Sequence, residues 1–149
     1  MGIEIKSPTI YDLNLPWTKI FLAGSIEMGV ADDWQKVITN RLSNKDCVFF
    51  NPRRNHWDST WEQSINNPQF KEQVEWELKH LEEADVIVMY FDPNTKSPVS
   101  LLELGLFASS GKLIVYCPNG FWRKGNVDIV CKKYNITTVN SLDELIEKL

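Results

Sequence analysis

Several signals that would assign a function at once are missing from this 149-residue chain. The spacing Gly-x-Gly-x-x-Gly, whose backbone cradles a phosphate, does not occur, and Gly24 stands alone after its apolar run. The three cysteines, Cys47, Cys117 and Cys131, lie in apolar contexts without metal-ligand spacing. We therefore expect reduced, mostly buried thiols in a cytoplasmic protein, with no metal and no other cofactor.

Two classes of partner also lack support in the sequence. The net charge is −4, whereas a protein that binds a long nucleic acid usually carries a basic face. No apolar run approaches the roughly 20 residues of a membrane span. A nucleoside or nucleotide needs only a few polar contacts, so the net charge does not exclude a small-molecule ligand of this kind. The length fits a single domain over residues 1–149, with residues 1–17 as an N-terminal arm because they carry Pro8 and Pro16 and little periodicity.

Short apolar runs alternate with helical patterns along the rest of the chain. Helical spacing of apolar residues appears over 31–42, 70–81, 127–134 and 141–149, and Glu77 falls on the apolar stripe of the second of these segments. The intervening runs predict five buried strands, at 19–23, 47–50, 86–91, 113–117 and 136–139. This alternation is typical of a parallel sheet covered on both faces, and it predicts an α/β three-layer flavodoxin-like sandwich with strand order 2-1-3-4-5.

In such sheets ligands bind beyond the carboxyl ends of the strands. Four segments follow those ends, and most of the unusual residues of the chain fall within them. The segments are Gly24-Ser25, 51–61, 92–103 and 118–126. The sequence therefore predicts one site at this edge of the sheet.

Glu103 is the strongest candidate for chemistry, because it lies among leucines in an apolar helix that follows the third strand. A carboxylate against apolar surface is costly unless it is hydrogen-bonded or used. An alternative is that Ser100 and Glu103 form a capping box, in which the carboxylate only bonds the backbone. Ser97 followed by Pro98 is a better helix start, however, and it would place Glu103 in the second turn.

The neighbouring loops supply candidate binding groups. Ser97 and Ser100 would present hydroxyl and N–H groups at a helix N-terminus, after the loop that begins at Asp92, although serines also cap many helices without binding anything. Arg53 lies with Asn51 and Trp57 in a second loop and could hold a phosphate or carboxylate, or simply be solvated. Residues 120–126 form a third loop that could equally be a dimer contact.

These motifs together resemble the nucleoside 2-deoxyribosyltransferase family, most closely its short members. The resemblance covers about residues 19–134, and its most specific part is the Glu-Leu-Gly segment with the loop before it. The motifs that carry it are Phe-Leu-Ala-Gly-Ser25, Asn51-Pro-Arg-Arg54, Ala-Asp85, Tyr-Phe-Asp-Pro93, Ser-Leu-Leu-Glu-Leu-Gly105 and Gly-Phe-Trp-Arg-Lys-Gly-Asn126.

The resemblance implies that Glu103 attacks the anomeric carbon of a 2′-deoxynucleoside and forms a covalent intermediate that a second base resolves. It implies donors that keep the pKa of Glu103 low, and a role near the base for Asp85, although the start of a buried strand is the wrong end of the sheet. Asn126 would complete the site of a neighbouring subunit, so we expect a homodimer or higher oligomer with shared sites.

One position departs from the family pattern. The better-known members have an aspartate where this chain has Ser97, and a serine near this place contacts the phosphate in related hydrolases of nucleoside 5′-monophosphates. The sequence therefore leaves three functions open: transfer of deoxyribose between bases, hydrolysis of a nucleoside 5′-monophosphate, and non-catalytic nucleotide sensing on the same fold.

Overall fold

The computed structural model describes residues 1–26, 33–54 and 60–149. Its sheet has six strands in the order β1-β3-β2-β4-β5-β6, and every neighbouring pair is parallel. The strands are β1 (Ile3–Lys6), β2 (Thr18–Gly24), β3 (Cys47–Asn51), β4 (Val86–Tyr90), β5 (Leu113–Tyr116) and β6 (Thr137–Val139). The helices are α1 (Trp34–Arg41), α2 (Pro68–Glu83), α3 (Pro98–Phe107), α4 (Lys124–Lys133) and α5 (Leu142–Glu147).

The predicted fold is confirmed, and the order 2-1-3-4-5 is the observed order of β2 to β6. The strand count was wrong, because residues 3–6 form a sixth strand that pairs with β3 at the edge of the sheet. The segment 1–17 is therefore not simply an arm. Its strand escaped the sequence pattern because Ile3-Glu-Ile-Lys6 is short and only half-buried, whereas the central strands are almost wholly apolar.

Two apolar cores cover the two faces of the sheet, which gives the three layers. One contains Trp76 of α2, Leu104 of α3 and Val127 of α4, packed on β2 to β5. The other contains Trp34 and Ile38 of α1 with Leu145 of α5. Helices α2 and α3 therefore lie side by side on the same face, and α1 lies on the opposite face.

The structure also describes the state of the cysteines and the length of the helices. Cys47, Cys117 and Cys131 are buried and unpaired. Across the three described stretches, no helix is long and apolar enough to cross a membrane.

Candidate active site

Glu103 lies in the second turn of α3 and is 7% exposed. The helix begins at Pro98, so the alternative of a capping box with Ser100 does not apply: both residues are already inside the helix. Ser100 is also buried, one turn before Glu103. Glu103 is therefore a buried carboxyl group that does not cap the helix, on the same helix side as the buried Ser100 and next to the buried Leu104.

A second carboxyl group, Glu77 of α2, faces Glu103 closely enough to repel its charge. The side chain of Gln73, one turn earlier on α2, donates a hydrogen bond to Glu77. Gln73 is itself fixed, because its Nε2 donates to the carbonyl oxygen of Pro52 at 2.9 Å and its Oε1 accepts from Ser7 Oγ at 2.5 Å. Sequence reasoning did not select Glu77, although an acidic residue on the apolar stripe of a helix was the signal that could have found it.

Loss of contact with water raises the pKa of both carboxyl groups. Burial raises the pKa of Glu77 to about 7, and the hydrogen bond from Gln73 lowers it in part. Burial likewise raises the pKa of Glu103 well above its ordinary value, and repulsion from Glu77 raises it further. The expectation that donors keep the pKa of Glu103 low was therefore wrong, because a desolvated carboxyl group beside a like charge holds its proton.

Three hydroxyl groups form a buried triangle at the carboxyl ends of β2 and β4. Ser25 Oγ lies 2.6 Å from Ser97 Oγ and 2.9 Å from Thr95 Oγ1, and the latter two are 2.8 Å apart. The backbone N–H of Asp92 donates to Ser25 Oγ at 2.8 Å. Ser97 adopts a left-handed conformation with φ 46° and its side chain does not cap α3. Its hydroxyl is therefore turned inward, where it ties the loop before α3 to the end of β2.

Two further predicted residues also shape this edge. The Asp92 carboxylate accepts a hydrogen bond from the backbone N–H of Asn94 at 2.8 Å, which closes a turn. Gly24 has φ 119°, and a Cβ there would lie 2.3 Å from the carbonyl oxygen of Tyr90. The missing side chain therefore lets β2 run alongside β4 to its end, which brings Ser25 into the hydroxyl triangle.

The loop after β3 lies at the same edge of the sheet. Asn51 Oδ1 accepts from the backbone N–H of Arg53 at 3.0 Å, and Asn51 Nδ2 donates to Glu4 Oε2 at 3.0 Å. Arg53 Nε donates to Gln35 Oε1 at 3.2 Å and lies 3.5 Å from Asp33 Oδ1. Asn51 thus holds the loop in place, and Arg53 sits beside a carboxylate of its own chain.

Two of the predicted residues that the structure describes do not join this group. Asp85 is exposed at the amino end of β4, where its Oδ2 accepts from the backbone N–H of Lys19 at 2.8 Å. The five residues of β4 separate it from the carboxyl edge by about 17 Å. Asn126 is exposed on α4 and lines a groove of about 300 Å³ between α3 and α4. Trp57 lies outside the described residues.

The chemistry offered at this edge is that of carboxyl and hydroxyl groups. Considering only the part of the chain that the structure describes, no group of three His, Cys, Asp or Glu side chains is placed to hold a metal ion. Two neighbouring carboxyl groups can combine a nucleophile with an acid, which is the pair of groups that cleavage of a glycosidic bond requires.

Comparison with known proteins identifies similar sequences and folds. The family model described as "Nucleoside 2-deoxyribosyltransferase like" matches residues 17–121, more than half of the chain. A solved structure from Enterococcus faecalis V583, titled as a conserved protein, superimposes with a TM-score of 0.61 at 15% identity. The match covers 88% of this chain and 96% of that one, and at this identity it shows a shared fold alone. No curated protein matches the chain.

Proposed function

Because the chain belongs to the nucleoside 2-deoxyribosyltransferase-like family, we propose that it transfers 2-deoxyribose between nucleobases through an ester of Glu103. The observation that carries this proposal is Glu103, a buried carboxyl group in the second turn of α3, with the half-buried carboxyl group of Glu77 close enough to raise its pKa. Two neighbouring carboxyl groups can supply the separate acid and nucleophile of a retaining glycosyl transfer.

In the first step an oxygen of Glu103 forms a bond to C1′ while the bond from C1′ to the base nitrogen breaks. The anomeric carbon becomes positive as that bond lengthens, which favours the negative charge on Glu103 and leaves the proton on Glu77. Glu77 then gives this proton to the departing base, a proton transfer of the general-acid kind. In the second step a new base attacks C1′, its proton passes to Glu77, and the Glu103 carboxylate is released.

The surroundings of Ser97 favour a nucleoside over a nucleoside 5′-monophosphate. Its buried hydroxyl lies within hydrogen-bonding distance of Ser25 and Thr95, and Arg53 lies beside Asp33. A phosphate carries nearly two negative charges at neutral pH, and binding it here would require breaking the hydroxyl triangle or approaching Asp33.

The transfer is tested by incubating the protein with deoxyinosine and free cytosine and following the products by chromatography. We expect deoxycytidine and hypoxanthine from the wild type, and a loss of at least about a thousandfold in kcat for Glu103→Gln. The matched control is Glu82→Gln, which removes the same charge from an exposed position on α2 and should leave kcat unchanged.

Two other outcomes separate the remaining functions. Release of the base with no acceptor present, and only from a 5′-monophosphate, would assign the chain to hydrolysis. Deoxynucleoside binding that persists in Glu103→Gln, together with no turnover in folded wild type, would assign it to sensing.

We also propose that the protein acts as a homo-oligomer. Val99, Leu102 and Leu106 are more than half exposed along one side of α3, on the helix that carries Glu103, and Asn126 is exposed on α4. An apolar helix side of this kind is typical of a subunit contact. Light scattering should show a dimer or larger assembly that Leu102→Glu dissociates with loss of activity, whereas a fully active wild-type monomer would contradict the proposal.

A further inference from the structure

Gln35, in the first turn of α1, carries a buried polar atom without a partner. Its side chain is fully buried, and within the described stretches its Nε2 is the buried side-chain nitrogen or oxygen that lacks a hydrogen bond. A buried donor that has lost water without gaining an acceptor is destabilising, so a native fold rarely retains one without a role.

The orientation of this amide is fixed by its neighbour. Gln35 Oε1 accepts a hydrogen bond from Arg53 Nε at 3.2 Å. Exchanging the oxygen and nitrogen of the amide would turn two donors toward each other, so the unpaired group is the NH2 group.

Gln35 lies at the carboxyl-end edge of the sheet, on the opposite face from Glu77 and Glu103. Trp34, the residue before it, donates from Nε1 to the carbonyl oxygen of Ser25 at 3.0 Å, and Arg53 follows the end of β3 by two residues. Ser25 in turn contacts Ser97 Oγ at 2.6 Å, in the loop that leads to the helix of Glu103.

The charges around Gln35 favour a neutral acceptor over an anion. Asp33 precedes α1, accepts from the backbone N–H of Lys36 at 3.2 Å, and lies 3.5 Å from Arg53 Nε. Its carboxylate already satisfies the helix N-terminus and balances the guanidinium, so an added phosphate would meet a like charge. A ring carbonyl offers an acceptor without a charge.

We propose that Gln35 is a specificity-determining residue whose Nε2 donates to a carbonyl oxygen of the nucleobase, so that the site selects keto bases over amino bases. The proposal rests on the proposed function and adds the class of base to it. Hypoxanthine and adenine make the test pair, because the first carries oxygen and the second an amino group at the same ring position.

The test measures kcat/KM for hypoxanthine and for adenine as acceptors of deoxyribose from thymidine. We expect the wild type to favour hypoxanthine by about tenfold or more, since a site built to donate leaves its donor unpaired against an amino group. Gln35→Glu replaces the donor by an acceptor and should lower the ratio of the two constants by about tenfold or more. The ratio cancels changes in the first half-reaction and in the folded fraction.

Two further variants keep the result interpretable. Gln69→Glu makes the same substitution at an exposed position of α2 and should leave the ratio unchanged. If Gln35→Glu fails to fold, Gln35→Asn withdraws the donor without adding charge and should also lower the ratio. An unchanged ratio in a folded Gln35 variant, as expected if only a water pairs with Nε2, would overturn the proposal while leaving the transfer reaction intact.

Calorimetric titration of Glu103→Gln with free hypoxanthine and free adenine separates this proposal from the proposed function. Tighter binding of hypoxanthine that is lost on adding Gln35→Glu supports the base selection even if the wild type shows no transfer. Equal binding of the two bases overturns it.

Discussion

Glu77 on α2 is half-buried and lies near the buried Glu103 on α3; loss of water raises the pKa of both carboxyl groups, and the charge of Glu77 raises that of Glu103 further. The two residues are 26 positions apart in the sequence, and they meet because both crossover helices lie on the same face of the sheet. The pair therefore links the pH dependence of stability to that of the proposed chemistry.

The pair should make the protein less stable as pH rises. The pKa of Glu77 increases from 4.5 to about 7 on folding, so between these values the folded protein binds protons that the unfolded chain has released. This contribution is complete below about pH 4.5 and is lost as pH rises through 7, by about 3 kcal/mol for Glu77. Urea denaturation at pH 5 and pH 8 should show a smaller decrease in the free energy of unfolding for Glu77→Gln than for wild type. An equal decrease in the two proteins would contradict the assignment.

His80 should have the opposite dependence. It is fully buried, its Nδ1 lies 2.7 Å from the carbonyl oxygen of Trp76, and its Nε2 accepts from the backbone N–H of Tyr11 at 3.1 Å. Burial lowers the pKa of His80, while the bond to Trp76 raises it in part. Its neutral form therefore contributes stability above the ordinary pKa of 6.5, and this contribution is lost as pH falls.

The two effects are separated in a background that carries both Glu77→Gln and Glu103→Gln, because burial by itself also raises the pKa of Glu103. There we expect the free energy of unfolding to fall between pH 7 and pH 5, and His80→Gln to remove most of that fall. At pH 7.5, His80→Gln should itself cost about 1–3 kcal/mol through the altered buried hydrogen bonds and ring contacts. The prediction fails if His80→Gln retains the full acid-side decrease.

Gly24→Ala should be strongly destabilising. The new Cβ would lie 2.3 Å from the carbonyl oxygen of Tyr90 at a φ of 119°, so we expect a loss of at least about 2 kcal/mol in the free energy of unfolding. Gly105→Ala is the matched control, because its Cβ would meet nothing within 4 Å and alanine favours a helix by about 0.5–1 kcal/mol. Urea midpoints that shift in the same direction for both variants would contradict this account.

Ser97→Ala should act on stability and not on the choice between nucleoside and nucleotide. The substitution removes contacts at 2.6 and 2.8 Å to Ser25 and Thr95, and we expect a cost of about 1–3 kcal/mol. Turnover of deoxyinosine and of its 5′-monophosphate should change by the same factor, and exposed Ser109→Ala should change neither. A selective loss with the monophosphate would show that Ser97 binds the phosphate.

The local signals of the chain predicted its elements well where the pattern was strong. Val86 to Phe91 is apolar throughout, and the observed strand is Val86–Tyr90. The last helix was predicted over 141–149, and it does begin there: Ser141 caps it, because its Oγ accepts from the backbone N–H of Glu144 at 3.0 Å. Asp85 shows that a residue can match a family motif without lying at the site. It precedes β4 and therefore lies at the amino-end edge of the sheet, opposite the edge that carries Glu103.

The sequence by itself determined the order of five of the six strands and of the helices, the edge of the sheet where polar loops gather, and the family, because periodicity and short motifs are local properties of the chain. Only the tertiary structure decided which groups meet there. It placed Glu77 near Glu103, turned the Ser97 hydroxyl toward Ser25, and left Nε2 of Gln35 without a hydrogen-bond acceptor. These relationships depend on how helices from distant segments pack on a common sheet, and packing also removes the water that would keep each carboxyl group at its ordinary pKa.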